Sequence, residues 1–127
     1  MAVAGIGTDI VHVERFAEFI ARNNRGVLER LFTPAELEYS LPRRQAPEHL
    51  AARFAAKEAF LKALGTGLRD GLSWLDMEVR RDHYGAPSLH LAGATAQAFS
   101  ARGLQTIFLS YSHEREYAVA TVVLEGA

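Results

Sequence analysis

Charged residues with the means to do chemistry sit in two apolar stretches of this 127-residue chain. The first stretch is RFAAKEAFLKALGTG, Arg53 to Gly67, where Glu58 and Lys62 stand one helical turn apart and Arg53 and Lys57 another. At 100° per residue its apolar side chains go almost all the way round, as in a buried helix. Two accounts of the charges stay open. They are solvated i, i+4 pairs, which are common and worth little, or Glu58 and Lys62 face a cleft. In a cleft, buried charge needs a metal, a phosphate or a counter-charge to offset several kcal/mol of desolvation. The glycines of the closing Gly65-Thr66-Gly67 either stop the helix or let a backbone approach a ligand.

The second stretch, AVAGIGTDIVHV, alternates in the manner of a strand, with Ile6, Thr8, Ile10 and His12 on one face. Gly5, Gly7, Asp9 and Val11 share the other. Asp is poorly suited to a strand interior. Beside two glycines it reads either as a metal ligand next to open space or as an edge-strand acid satisfied by a turn. Asp9 and Glu58 together make a two-carboxylate set of the magnesium kind, in which waters and substrate phosphates complete the octahedron. A third group, Ser110, Ser112 and His113 of SYSHE, supplies donors suited to a phosphate and has no obvious partner in its own chain. No GxSxG elbow occurs, so a Ser-His-Asp hydrolase is set aside.

The elements that must position these residues follow from pattern. Val3–Val13 reads as a strand and Glu14–Asn23 as a helix, with Phe16, Phe19 and Ile20 inward and Arg15 and Arg22 on the outer face. Thr33-Pro34-Ala35-Glu36 is a capping box opening a second helix. Residues 41–47, LPRRQAP, break it and form an exposed basic loop with Arg43 and Arg44. A third helix runs from Pro47 to about Leu64. Asp76–Asp82 and Pro87–Leu91 read as strands, Ala94–Arg102 as a helix, and Thr106–Ser112 with Tyr117–Glu125 as a closing hairpin. The order predicts one α+β domain over 1–127 with a mainly antiparallel sheet.

Composition agrees with that size and excludes several classes. The chain is 49% hydrophobic with net charge −1, so no basic field argues for nucleic acid. It has no cysteine, which removes disulfides and thiolate metal sites. No basic n-region leads an apolar run, and no run approaches a membrane span, so a cytoplasmic location is expected.

GIGTDIVHVERF near the start, RFAAKEAFLKALGTG and LSYSHEREYAVATVV closely resemble, in order and spacing, the short-type 4′-phosphopantetheinyl transferases, the holo-acyl-carrier-protein synthases. The resemblance implies that family's fold and an enzyme moving phosphopantetheine from coenzyme A to a serine of apo acyl carrier protein. Adenosine 3′,5′-bisphosphate is released, in support of fatty acid or polyketide synthesis. It implies Mg²⁺ held by Asp9 and Glu58, both counted as catalytic, with Lys62 toward the pyrophosphate. Coenzyme A is expected against Arg53, Lys57, Lys62, Gly65, Thr66, Ser112 and His113. A homotrimer is implied, with Ser112 and His113 of one subunit meeting the nucleotide at the next. Larger relatives carry D-x-E, whereas Asp9-Ile10-Val11 lacks the second acid, as in the short type. His12 stands where many short members have an acid. Acyl carrier proteins are usually acidic, so docking is assigned to Arg15, Arg22 and Arg25. Two other functions remain: a noncatalytic coenzyme A-binding module and a metal-dependent phosphohydrolase.

Overall fold

Strand β1 (Ala2–His12) alternates as its sequence requires: Gly7 and Val11 are buried, while Ile6, Thr8 and Ile10 face out. In this computed structural model, which describes all residues 1–127, β1 pairs antiparallel with β5 (Tyr117–Gly126). In turn β5 pairs with β4 (Leu104–His113), giving the order β1-β5-β4. The remaining strands, β2 (Met77–Arg81) and β3 (Pro87–Leu91), form a separate two-stranded sheet. The antiparallel expectation holds, divided between two sheets.

Helix α4 (Ala46–Leu64) lies across the inner face of the larger sheet, against β1 and β5. Pro47 is in its first turn and Gly65, at φ +82°, closes it in the left-handed conformation that glycine adopts without penalty. Its alanines at 51, 52, 55, 56 and 59 are fully buried. Gly5 and Gly7 let its main chain lie directly on β1. A Cβ at Gly5 would overlap the carbonyl oxygen of Ala63, and one at Gly7 that of Ala59. The space beside Asp9, expected to be open, is thus filled by helix backbone.

Helix α1 (Val13–Ala21) covers the other side of α4. Its Phe16 is fully buried, with the rings of Phe19, Phe32 and Phe54 at 5.6, 5.7 and 5.6 Å. Replacing such a residue by alanine costs about 3–5 kcal/mol. A further helix, α2 (Arg25–Leu31), lies between the first two helices expected from sequence. Asn24 caps it by accepting from the Val27 amide at 3.3 Å. Gly26 in its first turn masks the periodicity of Val27, Leu28 and Leu31. Helix α3 (Pro34–Ser40) opens with the complete capping box, and α5 (Gly93–Ala101) precedes β4.

The outer face of the larger sheet has no covering layer. Across it run the rows Ile6–Val123–Phe108, Thr8–Thr121–Ser110 and Ile10–Val119–Ser112. Ile6 is 66% exposed, Ile10 65% and Phe108 51%.

Candidate functional site

Asp9, Glu58 and Lys62 come together where β1 crosses α4. Lys62 Nζ donates to Asp9 Oδ1 at 2.8 Å and to the Thr8 carbonyl at 3.1 Å. Asp9 is therefore an ion-paired acid and not a lone one. Glu58, one turn before Lys62, belongs to none of the chain's ion pairs. Burial, and then the Asp9 charge, push its carboxyl above the usual range; Lys62 and Arg15 oppose that shift. A buried carboxylate raised by a neighbouring carboxylate is one that a hard cation or a proton would stabilise.

Lys57 does not belong to this set. Its side chain is wholly enclosed, and its ammonium donates to Glu36 Oε1 at 2.6 Å, to the Leu31 carbonyl at 2.8 Å and to that of Trp74 at 3.2 Å. An ammonium has three protons, so none is left for a ligand. The expectation that Lys57 binds coenzyme A is corrected: it is the internal counter-ion of Glu36. The same Glu36 accepts from the Thr33 amide at 2.9 Å and, through Oε2, from the Val79 amide at 2.8 Å. One carboxylate thus ties α3, α4 and β2 together. Burial pulls the Lys57 pKa down and Glu36 opposes that.

Arg53, 2% exposed, lies inside a second cluster and donates to the His49 carbonyl at 3.3 Å. Its guanidinium lies 4.6 Å from the Tyr39 ring centroid, with those of Arg43 and Arg81 at 3.5 and 5.7 Å. Arg81 also donates to the Tyr39 hydroxyl at 2.6 Å. The His49 ring meets Tyr39 edge-on, and His113 lies 5.8 Å from His49. Burial, reinforced by Arg53, His113, Arg81 and Arg43, holds His49 down at about 4, so it is neutral near pH 7. Within this cationic cluster Arg53 Nε is buried without a partner, as is the Tyr111 hydroxyl. An orphan cationic donor among like charges is chemistry suited to an anion.

His113 does have a partner in its own chain, contrary to expectation: its Nδ1 lies 3.2 Å from Glu48 Oε2. Ser112 precedes it on β4 and faces the outer side, in the row with Val119 and Ile10. Gly65 and Thr66 lie just past Lys62, at the end of α4. Nothing crowds the Gly65 position, and the Thr66 hydroxyl turns back onto the Gly67 carbonyl at 2.8 Å. From Glu48 to Glu58, α4 advances about 15 Å, at about 1.5 Å per residue. One chain therefore holds the carboxylates and the His113 cluster at separate stations along one helix.

The arginines assigned to docking differ among themselves. Arg15 lies 5.5 Å from the Phe54 ring centroid and close enough to Glu58 to act on its charge. Arg25 pairs with Glu29 at 3.1 Å. Arg22 ends α1, exposed and outside every ion pair. Sequence reasoning overlooked Tyr39, Glu48, His49 and Arg81. The i, i+4 spacings Tyr39/Arg43 and His49/Arg53 were available as signals; no local pattern brings in Arg81.

A family model for the 4′-phosphopantetheinyl transferase superfamily matches residues 5–122. Over 123 residues the chain is 52% identical to the holo-[acyl-carrier-protein] synthase of Geotalea daltonii, covering 97% of this chain and 98% of that one. It is 53% identical over 124 residues to that of Trichlorobacter lovleyi, covering 98% of each. Among solved structures, the holo-[acyl-carrier-protein] synthase of Neisseria meningitidis superimposes with a TM-score of 0.88 at 35% identity, covering 98% of this chain and 99% of its own. The Bacillus anthracis enzyme in complex with CoA (3′,5′-ADP) gives 0.80 at 36% identity, covering 98% of each.

Proposed function

We propose a function from the premise that this chain belongs to the 4′-phosphopantetheinyl transferase superfamily, in its holo-[acyl-carrier-protein] synthase branch. It transfers the 4′-phosphopantetheine of coenzyme A to a serine of apo acyl carrier protein and releases adenosine 3′,5′-bisphosphate. The serine oxygen forms a bond to the β-phosphorus, the bond from that phosphorus to the nucleotide breaks, and the serine proton leaves. The reaction is read as cytoplasmic and as serving fatty acid synthesis. No helix is long and apolar enough to cross a membrane.

The observation that carries the mechanism is the facing pair Asp9 and Glu58, with Lys62 beside them. Hard carboxylate oxygens, one of them outside every ion pair, fit Mg²⁺, which takes few protein ligands and fills its shell with water and phosphate. Asp9 and Glu58 would hold it, and it would supply charge neutralisation at the pyrophosphate. Lys62, half exposed and adjacent, stabilises charge growing on the leaving phosphate oxygens. Glu58, raised by burial and by Asp9, is assigned as the base that takes the serine proton.

The cluster of Arg53, His49 and His113 is read as the nucleotide-phosphate half of the site. Its place along α4 from Glu58, and the uncovered apolar face of the sheet beside Ser112, support a homotrimer in which two subunits complete one site. Incubating the protein with coenzyme A, Mg²⁺ and apo carrier and weighing the carrier tests the function. A gain of one phosphopantetheine is expected. Nucleotide release with an unchanged carrier would mean hydrolysis, and binding without turnover a noncatalytic module.

A further inference from the structure

Lys62 is placed to do more than meet a phosphate. Its two bonds, to Asp9 Oδ1 and to the Thr8 carbonyl, hold the ammonium against β1. The Lys62 side chain is 53% exposed and that of Asp9 13%, so the ammonium is the solvent-side partner. A cation arriving from water meets it before the carboxylate. The charges agree. Asp9, Glu58, Lys62 and Arg15 all act on this site, and their formal charges cancel. Two bare carboxylates would draw a divalent cation strongly; two carboxylates with two cations beside them do not. A divalent ion entering alone would leave the site with two excess positive charges. The pyrophosphate of coenzyme A supplies anionic oxygens that restore the balance, and it offers Lys62 an alternative partner.

Resting on the metal reading above, we propose that Lys62 gates metal entry: it holds Asp9 against a free divalent cation and releases it to the pyrophosphate of coenzyme A. Cation and nucleotide then enter as one coupled event. Binding of either strengthens binding of the other by the same factor, as linkage requires. Arg15 contributes charge without touching Asp9, so it separates occupancy of the carboxylate from bulk electrostatics.

The test is calorimetric titration of Mg²⁺ into the whole protein, as wild type, Lys62→Met and Arg15→Met, each with and without saturating coenzyme A. Circular dichroism checks that the variants are folded, as expected for changes at two exposed positions. Without coenzyme A, Lys62→Met should bind Mg²⁺ about five- to tenfold tighter than wild type. Arg15→Met should gain less than half of that. Coenzyme A should tighten Mg²⁺ binding more in wild type than in Lys62→Met, because the variant has no gate to open. The gate is overturned if Lys62→Met binds no tighter than wild type, or if Arg15→Met matches it. Absence of Mg²⁺ binding by wild type even with coenzyme A would instead defeat the metal reading itself, and the gate with it.

Discussion

Glu58 and His49 both carry shifted protonation equilibria, with opposite consequences for stability. A carboxyl raised in the folded state contributes stability that is present below its unfolded pKa and lost as pH rises through the folded value. At neutral pH the Glu58 charge is therefore a burden on the fold. Glu58→Gln should abolish transfer yet raise the melting temperature at pH 7, with the gain vanishing toward pH 4. Mg²⁺ with coenzyme A should raise the melting temperature of wild type and not of the variant. An unchanged melting temperature at pH 7 would show that Glu58 is not strained. His49 behaves in the reverse sense. Its folded pKa is held down at about 4, so the stability it contributes is present above about 6.5 and is lost as pH falls through about 4. His49→Gln should flatten the loss of stability across that window in denaturant titrations. A wild-type slope in the variant would assign the acid sensitivity elsewhere.

Between elements, Glu36 and Lys57 hold α3, α4 and β2 in register through bonds that no solvent reaches. Removing one partner leaves a buried charge unpaired. Lys57→Met should cost about 3–5 kcal/mol in urea unfolding. Adding Glu36→Gln should recover part of this, because the amide still accepts a backbone hydrogen bond and carries no charge. A cost below about 1 kcal/mol would mean that the pair contributes little. On the outer face of α1, Arg22 stands clear of the carboxylates, whereas Arg15 does not. Arg22→Glu should raise KM for the carrier well above any change in KM for coenzyme A, with kcat preserved. Equal effects on both substrates would remove α1 from the docking surface. These two helices also mark what was legible in sequence. The capping box, Gly65 and the all-round apolar pattern locate α3 and α4, because caps and periodicity are local. The partner of Lys57 is not legible. A buried lysine and a ligand-facing lysine look alike until Glu36, 21 residues away, is seen to meet it. Arg81 escaped for the same reason, being 42 residues from the tyrosine it binds.

For the whole molecule, the question is whether one chain completes a site. The carboxylates and the His113 cluster occupy different stations along α4, and the sheet beside Ser112 presents Ile6, Ile10 and Val119 to solvent. A His113→Ala chain and an Asp9→Asn chain should each be nearly inactive. On the trimer proposed above, the two chains unfolded together and refolded as mixed trimers should regain about a quarter of wild-type activity, since both intact halves meet at about a quarter of interfaces in a closed ring. Mixed trimers as inactive as their parents would place the whole site within one subunit. Ile10→Glu should separate the subunits by sedimentation and abolish transfer together, while the monomer keeps its circular dichroism.

The contact of Gly5 and Gly7 with the backbone of Ala63 and Ala59 bears on how this chain can drift by mutation. Every missense codon one base from a glycine codon encodes a residue with a Cβ, and at these positions a Cβ has nowhere to go. Single-base changes around the rim exchange one side chain for another and can retune carrier choice or nucleotide affinity. The span between Asp9 and Glu58 is set by main chain lying on main chain. It therefore passes unaltered through most of that variation, and substitutions at positions 5 and 7 should be the ones missing from any library selected for transfer.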